Sequence, residues 1–257
     1  MRDGLLLHRT AIRIIGRGVW IELLRRQDLY VCGMLMVLFL LGVAVVRIVG
    51  IEAPATGTFM LNMGLSLSTM TAHILTLLLA VRQFPTEIEN RTLYPLLARP
   101  VRRADIVLAK WFAVGCCGVA VYAVLAGVAW ISVPKLEGYA SGLLLQMLLL
   151  QLVSLFLLSG LAIALSLVVP RGIALLAGGS LYFAGATLRR LVGRGDGVRP
   201  VLAAYIPDFG MLDLTTRYTD GVAALSSVEI VLLLGYGCGL VLLVVAFGVL
   251  VFNGRRL

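Results

Sequence analysis

Asn62, Ser66, Thr69, His73 and Thr76 follow one another at steps of four, three, four and three inside an apolar run. That spacing puts all five on one face of a helix. A polar face turned toward lipid is costly, so this one turns toward protein or a wet cavity. Two readings stay open. The face lines a substrate path or a seam between two chains, or its hydrogen bonds only hold helices together. A proton relay through His73 needs a carboxylate partner, and the centre of no apolar run offers one. Other chemistry is absent. The chain has no H-E-x-x-H and no G-x-S-x-G, and it has no G-x-x-x-x-G-K-[ST] with which to bind ATP itself. Cys32, Cys116, Cys117 and Cys238 sit in apolar runs without metal-ligand or redox spacing, and read as small buried hydrophobes. Asp208 and Asp213 flank a short loop helix as caps. No catalytic or metal-binding residue is assigned.

The second polar feature is the stretch from Phe84 to Lys110, FPTEIENRTLYPLLARPVRRADIVLAK. Thr86 followed by Glu89 has capping-box spacing, and Glu87 and Glu89 suit the positive end of the helix that follows. Ile88, Leu93, Leu96 and Leu97 give this helix, placed at 86–98, an apolar side. Pro95 bends or breaks it near Tyr94, and Pro100 ends it at Arg99. Arg99, Arg102 and Arg103 follow. Asp105 opens a new apolar helix, with Lys110 one turn inside it and able to snorkel back. Such a capped helix at a membrane surface is a handle for another protein. The plainer alternative is an ordinary charged loop.

These features need an apolar frame, and composition supplies it. Of 257 residues, 60% are apolar, and the mean hydropathy is +1.01. Several runs exceed the roughly 18 apolar residues that mark a membrane span. The fold class is therefore an all-α integral membrane protein forming one transmembrane domain over 1–257. Six spans are predicted at 29–49, 61–81, 106–133, 142–169, 173–188 and 228–252. Gly50 to Phe59 reads as a short loop, and Pro170-Arg171-Gly172 as a tight turn. Small residues at Ala174 and Gly178 suit close helix contact. Residues 1–28 form an amphipathic interface helix. Ile12, Ile15, Val19 and Leu23 line its apolar face, and Arg9, Arg13 and Arg17 its polar one. No cleavable signal peptide is apparent at the start.

Net charge is +9, and all but two of the 22 basic side chains are Arg. In a membrane chain this excess speaks of orientation and anionic lipid, not of nucleic acid. Fifteen basic residues fall on the side of the termini and the 84–105 stretch, and seven on the other. The positive-inside rule then puts both termini and that stretch in the cytoplasm.

At this stretch the chain resembles the permease subunits of ABC-2-type ABC transporters. The likeness rests on Glu87, Thr92, Leu93, Leu96, Leu97, Arg99, Pro100, Val101, Arg103 and Lys110. Many members carry Gly before the Thr; here it is Arg91, in an EIENRT sequence. The resemblance implies that the 86–98 helix is a coupling helix docking on a separate P-loop ATPase subunit. Thr86, Glu87, Glu89, Arg91, Thr92, Arg99, Arg103 and Lys110 are then the coupling candidates. It also implies short re-entrant helices between the fifth and sixth spans, and a second permease chain, most simply a homodimer, with the path between the two. ATP and Mg would sit on the partner ATPase, with no cofactor on this chain. An exporter in the cell inner membrane is the implied role. Two readings compete: a membrane anchor or assembly factor that recruits an ATPase without transporting, and a secondary carrier using the polar face of 61–81. The carrier predicts buried carboxylates and broken helices.

Overall fold

The computed structural model describes residues 18, 20–21, 27–49, 54–89, 103–132, 141–192, 207–215, 217 and 223–254. Helices occupy all six stretches predicted to span: α1 Gln27–Val49, α2 Pro54–Arg82, α4 Arg103–Ser132, α5 Ser141–Val168, α6 Arg171–Val192 and α7 Ser227–Gly254. The short α3, Pro85–Glu89, follows α2, and a 3-10 turn, Phe209–Leu212, precedes α7. Among the described residues there is no strand. Among the described residues, four stretches are long and apolar enough to cross a membrane: Thr56–Glu89, Arg103–Ser132, Leu145–Val168 and Ser227–Gly254. In α1 the apolar helix is shorter, Gly33–Val46, and α6 carries Arg189 and Arg190 at its end.

Two expected connections are helical instead. Gly50 to Phe59 is not a loop throughout, because α2 begins at Pro54. Proline fits the first helical turn, where its missing N–H has no intrahelical partner anyway. The Pro170–Gly172 turn shrinks to Val169 and Pro170. The Ala174 N–H donates to the Pro170 carbonyl at 2.9 Å, so α6 starts at Arg171. It also runs on past Leu188 to Val192. The interface helix at 1–28 lies almost wholly outside the described residues; Gly18, Trp20 and Ile21 are helical and exposed.

The bundle is built around α5, which touches α2, α4, α6 and α7. Leu150, Leu155, Leu157 and Leu158 are among its fully buried side chains. By contrast α1 lies at the edge, with Tyr30, Met34, Leu38 and Ile48 exposed. Small residues set the close approaches. Gly178 on α6 faces Leu77 of α2, where an added Cβ would come within 2.7 Å. Gly237 on α7 meets Val153 of α5, with 2.5 Å available. Cys117 is buried as expected, but Cys238 is exposed on α7 and fills no core position.

α2 and α4 run antiparallel in a steady register: Gly64 against Ala129, Thr76 against Gly118, and Gln83 against Lys110. Thr76 is held in place because its hydroxyl donates to the Ala72 carbonyl at 2.7 Å. A methyl group at Gly118 would strike that hydroxyl. Gly118→Ala is therefore expected to lower stability by about 1–3 kcal/mol, and Thr76→Ala in the same chain to restore it. Gly235, with nothing near it, should accept Ala without loss. Thermal unfolding of the purified protein checks this; equal losses at 118 and 235 would refute the seam.

Candidate functional site

The end of α2 leads into a compact knot. The Gln83 N–H donates to the Ala80 carbonyl at 3.3 Å, and the Ile88 N–H to the Phe84 carbonyl at 3.0 Å. Phe84 is thus the residue that opens α3, with Pro85 in the first helical position. The Thr86–Glu89 capping box does not form: Thr86 already lies inside the helix, and a cap must stand just before it. Proline's fixed backbone angle wins over the box. Of the helix placed at 86–98, the structure describes Pro85–Glu89; Arg91, Thr92 and Arg99 lie outside the described residues.

Lys110 reaches this turn from α4. Its side chain does not snorkel into water, because the residue is 1% exposed. The ammonium donates to the Gln83 carbonyl at 2.8 Å, pairs with the Glu87 carboxylate, and lies 4.3 Å from the centre of the Phe84 ring. A buried ammonium is costly unless hydrogen-bonded and paired, and this arrangement answers it with a carbonyl, a carboxylate and an aromatic face. The Glu87 side chain keeps 37% exposure, so the pair straddles the surface. Phe84 is fully buried and its ring lies 5.1 Å from that of Phe252 near the end of α7. Arg103, the first residue of α4, donates from Nη1 to the Phe252 carbonyl at 3.5 Å. Thr86 and Glu89 are exposed, while Ile88 packs inward against the core. The structure thus brings together Glu87 and Lys110, leaves Thr86 and Glu89 facing outward, and puts Arg103 beside α7. Sequence reasoning missed Gln83, Phe84 and Phe252. The signal for Phe84 was an aromatic residue directly before a helix-opening proline; Phe252 gave none.

The polar face of α2 divides. Ser66 is exposed and its hydroxyl donates to Asn62 at 3.2 Å, whereas Thr69, His73 and Thr76 are buried inside the bundle. His73 Nδ1 lies 2.8 Å from the Thr69 carbonyl, which can only accept, so Nδ1 carries the proton. Nε2 then accepts from the Ser154 hydroxyl of α5 at 2.8 Å. The Gln151 amide, 3.3 Å from Nδ1, must turn its oxygen to the ring. Tyr182 of α6 covers the imidazole, with ring centres 4.7 Å apart. His73 therefore ties α2 to α5 and α6, as the helix-holding reading expects. The Thr69 and Tyr122 hydroxyls lie side by side but off hydrogen-bonding geometry, and both are buried without a partner.

The segment before α7 enters the same layer. Asp208 caps the 3-10 turn by accepting from the Gly210 N–H at 2.9 Å, and Asp213 closes it, as their spacing implied. The Asp208 N–H donates to the Tyr236 hydroxyl at 3.3 Å. Tyr236 stands about 14 Å along α7 from Ser227, at 1.5 Å per residue. Phe209 and Leu212 are buried there, so the turn dips well into the bundle. Gln146 of α5 grips the Leu225 backbone from both sides at 2.9 Å.

A family model described as ABC-2 family transporter protein matches residues 19–182. No curated protein matches the chain. With the apolar helices above, the match makes this a multi-pass membrane protein.

Removing one partner of the knot should expose the asymmetry of its burial. Glu87→Gln strands the buried ammonium, whereas Lys110→Met leaves only a carboxylate that water can reach. Glu87→Gln is expected to cost more stability, by about 1 kcal/mol after allowance for solvent at Glu87. Equal unfolding midpoints for the two variants would contradict this. In the polar centre, Ser154→Ala deprives His73 Nε2 of its donor and should cost about 1–2 kcal/mol. Tyr122→Phe removes an unpartnered hydroxyl and should hold or raise the midpoint.

Proposed function

The chain belongs to the ABC-2 family of transporter proteins and is a membrane component of an ABC transporter; we propose that it couples to a separate P-loop ATPase through α3 and exports its substrate. The observation that carries this reading is the knot at Lys110. The turn described, Pro85–Glu89, is stabilised little by its own hydrogen bonds, because short helices are marginal alone. Lys110 binds both the chain entering it, at Gln83, and its first turn, at Glu87. The outward residues Thr86 and Glu89 then form a rigid handle for a groove on the ATPase.

In this reading α1 and α6 complete six spans, and both termini and α3 face the cytoplasm of an inner-membrane protein. Two identical chains and two ATPase chains form the transporter, with ATP and Mg on the ATPase. The exposed Asn62–Ser66 pair faces the second permease chain, since polar side chains beyond their mutual bond are better satisfied against protein than against lipid. ATP binding closes the ATPase dimer and shifts the population of two packed arrangements of the helices. Motion at α3 reaches the spans because Lys110 is part of α4, and α4 is in tight register with α2.

The test is a cross-link and a charge swap. Thr86→Cys, in a chain whose native cysteines are replaced by Ser or Ala, is expected to cross-link to the ATPase in membranes holding both chains. A cysteine at Leu250, on the lipid-exposed face of α7, is not. Glu87→Lys and Lys110→Glu singly should let ATP hydrolysis run without transport, and together regain part of the coupling. Absence of the Thr86 cross-link, in a complex that still forms, removes α3 as the contact.

A further inference from the structure

We infer that Phe252, seated by Arg103, is a positioning residue for the α3 knot, so that the end of the last helix sets where the coupling helix stands. This rests on the coupling reading of α3. Phe252 lies far from the 84–110 stretch in sequence and outside the part of the chain that the family model matches.

Three observations lead there. First, Phe252 is fully buried although it lies two residues from the end of α7, where a helix commonly frays. Second, what it is buried against is the knot itself. Its ring lies 5.1 Å from that of Phe84, and the Lys110 ammonium lies 4.3 Å from the centre of the same Phe84 ring. Phe84 is therefore shared by Phe252 and Lys110. Third, Phe252 is held independently of α3. One turn earlier α7 passes close to α5 and α4 at Gly248, where an added Cβ would meet Ala164 at 3.6 Å and Val107 at 3.9 Å. Arg103 donates to the Phe252 carbonyl, one of the last of α7, where a cation also suits the negative helix end.

The consequence is mechanical. α7 carries Phe252 and is seated there on α4 and α5, while α2 and α4 hold Phe84 and Lys110. The end of α7 meets the α2–α4 pair at the Phe84–Phe252 contact, and α3 hangs from one side of it. With a smaller side chain at 252, Phe84 loses its backstop. The Lys110–Glu87 pair then no longer holds α3 in one orientation.

The test is a double-mutant cycle on permease-dependent ATP hydrolysis. The full chain and its P-loop ATPase are reconstituted in phosphatidylethanolamine–phosphatidylglycerol vesicles. The rate is compared with that of the ATPase alone. Phe252→Leu and Lys110→Met are each expected to lower the permease-dependent rate roughly fivefold. The double variant should be no worse than the weaker single, because both act on one ring. A general packing defect gives multiplicative losses instead, and overturns the inference. So does a wild-type rate in Phe252→Leu. If Phe252→Leu fails to accumulate, Arg103→Gln probes the same seat from the other side, and must show the same dependence on Lys110. A wild-type chain that leaves the ATPase rate unchanged sinks the coupling reading, and this inference with it. Stimulation by wild type that Lys110→Met abolishes and Phe252→Leu spares sinks the inference alone.

Discussion

A positive charge buried beside apolar helices has to be answered, and that requirement shapes one end of this molecule. Lys110 is 1% exposed. An ammonium in that position is tolerated only with acceptors close by. Those it meets here come from the chain beyond α2: the Gln83 carbonyl, the Glu87 carboxylate and the face of Phe84. Each lies within a stretch that would otherwise be a surface turn. The charge thus converts a turn into a fixed structure, and α3 stands where it does because Lys110 cannot be left alone.

Around that charge the helices group by how closely they approach. α2 and α4 are matched through Gly64, Gly118 and Lys110. α5 and α7 are matched through Gly237 and Gly248. In a membrane there is little hydrophobic drive between apolar helices, so close backbone approach and hydrogen bonds decide which pairs move together. α1, exposed along much of its length, has few such contacts and sits outside this frame. His73, bonded to Ser154, joins the two pairs near mid-length, and Phe84 with Phe252 joins them at the α3 end.

The apolar runs and the charged stretch were legible in the sequence because hydropathy and charge are local properties. Boundaries were less so. A Pro at 54 read as loop is a helix start, and the same residue type at 85 displaces the cap expected at Thr86. Two sequences carry the S/T-x-x-E signature. The one at Thr86 does not close. The one at Ser226 does: Glu229 accepts from the Ser226 N–H at 2.9 Å, and the Glu229 N–H donates to the Ser226 hydroxyl at 3.3 Å. Nothing within either tetrapeptide separates them. What does is the residue before Thr86, a proline that starts the helix one position early. Phe252 was invisible for a different reason, since its partner lies 168 residues away (252 less 84) and no spacing rule reaches that far.

The ionic contact and the neutral ones between helices stand at different depths. In the middle of the bundle α2 and α5 are joined by uncharged groups, the His73 ring with its proton on Nδ1, Ser154 and Gln151, and Asp208 and Asp213 of the same layer accept from backbone N–H groups of their own segment. The ionic contact between Lys110 and Glu87 lies at the end, where Glu87 still meets water. Desolvation explains the division, because a hydroxyl or amide can be satisfied by one or two neighbours, whereas an ion needs several and loses far more. An ion pair is best placed where water still reaches one partner, and Glu87 is that partner. The Lys110 knot therefore fixes α3 to α4 at a level where a helix can also be gripped from outside.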